Sequence, residues 1–463
     1  MRLVRLARDL FRAEGPGGMA ERLADRIEAL RDRMEERTVA PAALSVWLAR
    51  AGGAPVLDVL ATPLAPRFGG VPVQLAARLP EERRLRATAL VSPEGGYWTL
   101  RVAADGERLR ARLGPATRET DPSRGHVAAL EIVARAARLA GARIVNFEGV
   151  AGWDPEALRA FTDEAGNGPR VVISVHDFAL FCPRPNLVEE PCGRFCGYSR
   201  DASRCGACLA ATWRLSAGFV ERWRDASTAL LSKVDAVVYP SEFLRRQHAE
   251  LFPKELPRLE RVIAPTAPPG ADPMEEPRRR RRRAGEPFRV AFVGAYRPHK
   301  GALIFEELLR RDRPRAERTV VWQVLGSGDP ALLLSARRLG ARIAGHYRAG
   351  RLTRLLLEEE IDLALLPALW PETYALTLSE CRAAGVPVLA FALGAIADRV
   401  RSEGGGVLVP PEEGADGVAA ALERVRTGAL EIPPFRGIEP GPSAFRAAAG
   451  REELYRTLLG EEL

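Results

Sequence analysis

The sequence predicts an α/β protein with two doubly wound domains behind a helical N-terminal extension. Short apolar runs alternate with amphipathic helical stretches in two blocks, 51–264 and 288–430, and such alternation builds parallel sheets with crossover helices. Between them, residues 265–287 are rich in proline, poor in apolar side chains and carry the run Arg278–Arg283, the composition of a linker. The length of 463 residues, 46% of them apolar, suffices for two cores.

Residues 1–50 form the extension. From Arg2 to Arg12, Leu3, Leu6, Ala7, Leu10 and Phe11 share one helical face and Arg2, Arg5, Arg8 and Arg12 the other, which suits either an anionic membrane surface or packing on the body. After the Gly15–Gly18 break, Met19, Leu23, Ile27, Leu30 and Met34 are spaced along a charged helix for packing on the body or on a second subunit.

The first domain starts with a strand at Val56–Ala61, a loop containing Gly69 and Gly70, and a helical pattern from Val73 to Leu79. Paired glycines there let backbone approach a ligand closely. A helix from Val127 to Leu139, closed by Gly141, leads to strands at Ile144–Phe147 and Val171–Val175, and Val234–Tyr239 closes the domain. The second of these strands runs into His176-Asp177. In doubly wound sheets ligands gather at the carboxyl ends of strands, so His176 is either a site residue or a structural histidine.

The second domain opens with a strand, Phe288–Val293, that ends in Gly294 and continues as Ala295-Tyr296-Arg297-Pro298-His299-Lys300-Gly301. Lys300 and Arg297 beside a helix start would neutralise a leaving diphosphate. A second strand, Val320–Leu325, turns through Gly326-Ser327-Gly328. Next comes the strand Ile361–Leu366, then Pro371-Glu372-Thr373-Tyr374-Ala375-Leu376-Thr377-Leu378-Ser379-Glu380, a helix closed by Gly385, and the strand Val388–Phe391. A helix starting just after Glu372 presents free N–H groups to an anionic ligand. It also sets Glu380 roughly 10–12 Å from Glu372. That is too far to share a proton or a metal, but it suits two hydroxyl-rich parts of one extended ligand. Val400–Val409 and the helical Gly417–Val425 complete the pattern, and residues 431–463 read as a tail.

The run from Pro371 to Val388 resembles the Glu-x7-Glu signature of the retaining glycosyltransferases of family 4, whose B-type fold (GT-B) sets two Rossmann-like domains facing across a cleft. His176-Asp177-Phe178 followed by Cys182-Pro183-Arg184 is similar to a segment of a bacterial branch of that family, and Lys300-Gly301 to its Gly-Arg-x4-Lys-Gly phosphate loop. Ala295 stands where that loop has Arg, with Arg297 two residues on. The resemblance is strongest over 288–409, weaker over 55–80 and 171–208, and absent from 1–50. It implies sugar transfer from a nucleotide-diphosphate sugar to a hydroxyl acceptor, a polysaccharide or lipid-linked glycan, with retention and no metal in the chemical step. It also implies roles: His176 and Glu372 on the sugar, Lys300 and Arg297 on the diphosphate, and Glu380 on the ribose. Gly69, Gly70, Gly294, Gly326, Tyr374, Leu376 and Thr377 join Lys300 and Glu380 as nucleotide-binding positions. Two other readings stay open: a nucleotide-sugar epimerase of the same fold, and an inactive membrane-associated scaffold, to which Ala295 points.

Five of the six cysteines lie between Cys182 and Cys208. A cytoplasmic location is expected, because the N-terminus has no apolar signal core or cleavage site and no run approaches the ~20 apolar residues of a membrane span. Disulfides are then not expected. Cys192-x3-Cys196-x8-Cys205-x2-Cys208 offers four thiolates to a structural zinc, with Cys182 as a substitute, or simply four reduced thiols. The net charge of +8 suits pyrophosphate and the inner face of an anionic membrane. With 6% aromatic residues and no basic stretch interleaved with them, single-stranded nucleic acid is not an expected partner.

Overall fold

A computed structural model describes residues 2–64, 69–104, 107–116, 127–166, 168–216, 218–253, 257–267, 285–312, 319–436 and 443–461. The Arg278–Arg283 run, residues 65–68 of the first glycine loop and the side chains of Leu3 and Leu6 lie outside that description. The chain divides into an N-terminal unit (Glu28–Cys192, Cys196–Thr266 and Ser443–Leu463) and a C-terminal unit (Met1–Ile27, Gly193–Phe195 and Ala267–Pro442).

In the N-terminal unit the chain runs β1 (Arg37–Thr38), α2 (Pro41–Arg50), β2 (Val56–Val59), α3 (Gly70–Leu85), β3 (Thr88–Glu94), β4 (Tyr97–Ala104) and β5 (Glu107–Pro115). It continues through α4 (Val127–Ala140), β6 (Ile144–Glu148), α5 (Pro155–Ala165) and β7 (Arg170–Ser174). After β8 (Val188–Glu189) come α6 (Ala202–Ala210), α7 (Phe219–Leu231), β10 (Ala236–Tyr239), α8 (Glu242–Leu251) and β11 (Glu260–Val262), whereas the short β9 (Arg194–Phe195) falls in the C-terminal unit. Its sheet has the order β1-β5-β4-β3-β2-β6-β7-β10-β11. The strands β2, β6 and β10 are buried along their whole length, as a parallel sheet covered on both faces requires. β4 is antiparallel to both β3 and β5, and its hairpin turns at Gly95-Gly96 with φ of 55° and 82°, the left-handed pair such a turn needs.

The last helix, α15 (Ser443–Leu459), belongs to this unit rather than trailing from the other. Its Leu454 and Tyr455 are buried with Val56, Ile144, Val172, Ala236 and Val238. Arg86 pins it further, donating to both oxygens of Glu452 at 2.8 Å. The apolar spacing of 431–463 is too sparse to announce this docking, because the helix buries charged residues as well as leucines.

The C-terminal unit is a six-stranded, wholly parallel sheet of order β14-β13-β12-β15-β16-β17. Its elements are β12 (Phe288–Val293), α9 (Ala302–Asp312), β13 (Val320–Leu325), α10 (Pro330–Arg338), β14 (Arg342–Gly345), α11 (Leu352–Glu358) and β15 (Leu363–Leu366). Then follow α12 (Leu376–Ala383), β16 (Val388–Phe391), α13 (Gly394–Glu403), β17 (Gly406–Val409) and α14 (Gly414–Arg426). The N-terminal helix α1 (Arg2–Glu35) kinks at Gly15, with Pro16 next to it. Its Ala13 is fully buried in the core of this unit with Phe288, Phe305 and Trp322. Glu14 is buried as well, gripped by Arg22 at 2.8 and 2.6 Å and by the His346 backbone N–H at 3.2 Å. These contacts lie just past the Arg2–Arg12 stretch, in which Phe11 remains half exposed.

Candidate functional site

The C-terminal unit gathers most of its predicted site residues at the carboxyl ends of β12, β13 and β15. Gly294 has φ of 102°, and a Cβ placed on it would lie 3.4 Å from the Thr377 methyl at the start of α12. On Gly326 (φ 151°) a Cβ would strike the Gly294 carbonyl oxygen at 1.8 Å, so this close approach of two loops admits only glycine. The same holds at Gly301, where a Cβ would meet the Pro367 carbonyl oxygen at 2.0 Å. That contact brings the single turn Pro298–Lys300 against the segment leading to Glu372.

Lys300 Nζ forms an ion pair with Glu372 Oε1 and lies 5.0 Å from the centre of the Trp370 ring. Next to it, burial and then the Lys300 charge push the His299 imidazole down to about 4, so it is neutral at pH 7. Arg297 is exposed and caps this turn only through its backbone. Ala295 is exposed too.

The helix after Glu372 starts later than the sequence suggests. α12 begins at Leu376, because Ala375 adopts a left-handed conformation (φ 67°) before it, a strained setting for a residue with a Cβ. Arg399 on α13 holds that turn. Its Nη1 donates to the carbonyls of Tyr374 at 3.1 Å and Ala375 at 3.2 Å, its Nη2 to Ser379 Oγ at 3.1 Å, and its guanidinium lies 4.4 Å from the Tyr374 ring centre. Sequence spacing gave no hint of Arg399, except that it stands four residues before Glu403, with which it pairs at 3.0 Å. Gly394 completes the turn, since a Cβ there would press on the Glu372 backbone nitrogen at 2.6 Å.

Glu380 is 4% exposed, and its Oε1 has no hydrogen-bond partner. Burial pushes its carboxyl up to about 8. A buried acceptor without a partner costs free energy, and a hydroxyl donated by a ligand would relieve that cost.

In the N-terminal unit Gly69 (φ 86°) precedes α3, and space around its Cβ position is open. His176, just beyond β7, has Nε2 at 3.0 Å from Glu148 Oε2, while Gln74 Nε2 lies 3.2 Å from Nδ1. Behind Glu148 lies a buried cluster that sequence reading missed: Asp58, Arg78, Glu82, Asn146 and Arg451. Asn146 Nδ2 donates to Asp58 at 2.7 Å and to Glu148 at 2.6 Å, and Arg78 Nη2 donates to Glu148 at 2.7 Å. Asp58, Asn146 and Glu148 stand as polar residues in the buried strands β2 and β6, and that anomaly was the available signal.

The cysteines do not assemble as the zinc expectation requires. Cys192 is exposed, with its Sγ 3.6 Å from the Glu189 carbonyl; Cys205 Sγ donates to Ser199 O at 3.4 Å; and Cys208 Sγ accepts from the Glu190 N–H at 3.3 Å. Among the described residues no group of three or more His, Cys, Asp or Glu is arranged to hold a metal ion. Cys182, Cys196, Cys205 and Cys208 do line one small cavity, where burial raises the Cys182 thiol to about 12.

Residues 287–427 match the family Glycosyl transferases group 1. That segment holds Gly294, Lys300, Glu372 and Glu380 together. A D-inositol 3-phosphate glycosyltransferase of Nocardia farcinica (strain IFM 10152) is 32% identical over 205 residues, which is 40% of this chain and 44% of that protein. The chain thus aligns with less than half the length of this relative. Among solved structures, sucrose-phosphate synthase from Thermosynechococcus elongatus superposes with a TM-score of 0.54 at 16% identity, over 87% of this chain and 94% of that one. HepE of Anabaena, solved with UDP and glucose, gives 0.51 at 14% identity, over 88% and 96%. The fold is the GT-B fold, with two Rossmann-like domains. No described helix is long and apolar enough to cross a membrane.

Proposed function

We propose that the chain is a retaining glycosyltransferase of family 4 that moves a glycosyl group from a nucleotide-diphosphate sugar to a hydroxyl of a polysaccharide or lipid-linked glycan. The observation that carries this reading is the division of labour around α12: a Lys300–Glu372 pair before it and the unpartnered, buried Glu380 within it. Lys300 meets the diphosphate, where negative charge grows as the leaving group departs, and stabilises the transition state more than the ground state. Release of Lys300 to the phosphates frees the Glu372 carboxylate to accept from sugar hydroxyls. Glu380 takes the ribose hydroxyls, and Gly294 and Gly326 let backbone N–H groups approach the phosphates. His176 contacts the transferred sugar. Arg297, exposed in this state, adds charge to the diphosphate in place of the arginine that Ala295 replaces.

The relatives support a nucleotide-sugar donor, since HepE is described with UDP and glucose and the Nocardia protein as a glycosyltransferase. Contact with an anionic membrane through the Phe11 face of α1 would bring a lipid-linked acceptor within reach. Donor hydrolysis over UDP-, GDP- and dTDP-sugars, with the anomeric configuration of the product read by NMR, is the test. Turnover of one donor with retention is expected. Free nucleotide released with an epimerised sugar would favour the epimerase, and no turnover of any donor the inactive scaffold.

A further inference from the structure

The buried cluster of the N-terminal unit is out of electrostatic balance in a way that bears on His176. Asp58, Glu82 and Glu148 stand against Arg78 and Arg451, and the pairs are short: Arg78 Nε to Glu82 at 2.8 Å, Arg78 Nη2 to Glu148 at 2.7 Å and Arg451 Nη1 to Glu148 at 3.3 Å. Within this directly paired set three carboxyls meet two guanidiniums, so one carboxyl lacks a paired cation of its own, while Arg83 acts on Asp58 from outside the set. A proton can settle it at either end. Burial raises the Asp58 carboxyl, against the pull of Arg78, to about 7. At the other end, burial alone would raise Glu148, but Arg451 and Arg78, with His176, outweigh it and hold it well below the usual carboxylate range. The charge therefore rests on Glu148, whose free edge points at the imidazole.

We propose that Glu148 and Arg451 are positioning residues for His176: Arg451, carried by the C-terminal helix, fixes the Glu148 carboxylate, and Glu148 orients the ring through its 3.0 Å contact with Nε2. Arg451 is well placed for this, because its Nη2 also donates to Ser174 Oγ at 3.1 Å, and Ser174 Oγ donates to Asn146 Oδ1 at 2.9 Å. The guanidinium thus ties α15 to β6 and β7, the two strands that carry Glu148 and His176. Gln74 from α3 borders the ring without charge, its amide nitrogen 3.2 Å from Nδ1 and 3.3 Å from Nε2. Asp177 is the other acid beside the ring, and its Oδ1 already accepts from the Ala179 N–H at 2.8 Å. An imidazole held in one orientation suits contact with the hydroxyls of a sugar. That use rests on the reading of His176 proposed above, whereas the coupling to Glu148 and Arg451 does not.

The test is a histidine NMR titration of the full chain without ligand, in which five histidines keep the spectrum sparse and His176→Ala assigns the resonance. Glu148→Gln should lower the His176 midpoint by about 1–2 pH units, as loss of an adjacent carboxylate does. Arg451→Met, which removes a cation from the cluster, should move the midpoint more than Arg451→Lys, which keeps the charge. A midpoint that Glu148→Gln leaves in place, in folded protein, would overturn the proposal. If Glu148→Gln does not fold, Glu148→Asp carries the test: drawing the carboxylate one methylene away should lower the midpoint, and no change overturns the coupling. Because no donor is present, this result stands apart from whether the chain transfers sugar.

Discussion

The C-terminal unit carries its chemistry on one charge pair, Lys300 with Glu372, and one lone acid, Glu380, whereas the N-terminal unit buries five ionisable side chains against one another before His176 is reached. In the first, glycines at 294, 301, 326 and 394 bring backbone segments together and leave side-chain hydrogen-bonding capacity open. In the second, the charged side chains are ion-paired with one another. The contrast teaches that an acid in a site can be kept ready in two ways: by withholding its partner, or by supplying so many that only one edge remains.

The sharpest break in this comparison comes from the N-terminal unit. Arg78→Met strands Glu148, Glu82 and Asp58, and should cost about 3–5 kcal/mol of stability, read as a lowered Tm. Nucleotide affinity of the protein that remains folded should be unchanged.

Lys300→Ala should do the opposite. The side chain is partly exposed, so Tm moves little, while kcat falls about 10²–10³-fold through lost stabilisation of the leaving group. Steady-state kinetics beside a thermal melt separate the two effects.

The third prediction turns on pH. Because Glu380 has its folded carboxyl raised to about 8 from an ordinary 4.5, its neutral form stabilises the ligand-free protein below the ordinary value, and that contribution is lost as pH rises through 8. Glu380→Gln removes this dependence. Its Tm relative to the parent should therefore rise between pH 5 and pH 8, and a constant difference would show that burial does not hold the acid neutral.

Much of the C-terminal half was legible in the sequence. Continuous apolar strands such as Phe288–Val293 and Val388–Phe391 announce themselves, and Gly294, Lys300-Gly301 and Glu380 sit where strand ends and a helix start place them. The α12 start was misjudged because nothing in Thr373-Tyr374-Ala375 marks a left-handed turn at an alanine; the cause is Arg399, far along the chain. In the other half His176 was legible, but Arg451 was not, since a buried arginine on a helix 277 residues away from Ser174 leaves no periodic trace. The cysteine spacing pointed to one set of four, whereas Cys192 is exposed and Cys196, Cys205 and Cys208 line a cavity with Cys182.

The smallest effect is expected at the membrane. Deleting residues 1–12 removes Phe11 and four arginines, and each basic residue near an anionic surface contributes about 1 kcal/mol at most. Co-sedimentation with anionic vesicles should weaken several-fold, and equal binding by the truncated and full-length chains would leave α1 as a packing element alone.

The central claim is that α12 and its flanking loops form a nucleotide-diphosphate site, and isothermal titration of the full chain with UDP, GDP and dTDP tests it most directly. One of the three should bind with 1:1 stoichiometry, and Glu380→Ala should weaken it by about tenfold, the worth of one hydrogen bond. Absence of binding by all three, or equal affinity in the parent and the Glu380→Ala variant, would contradict the account.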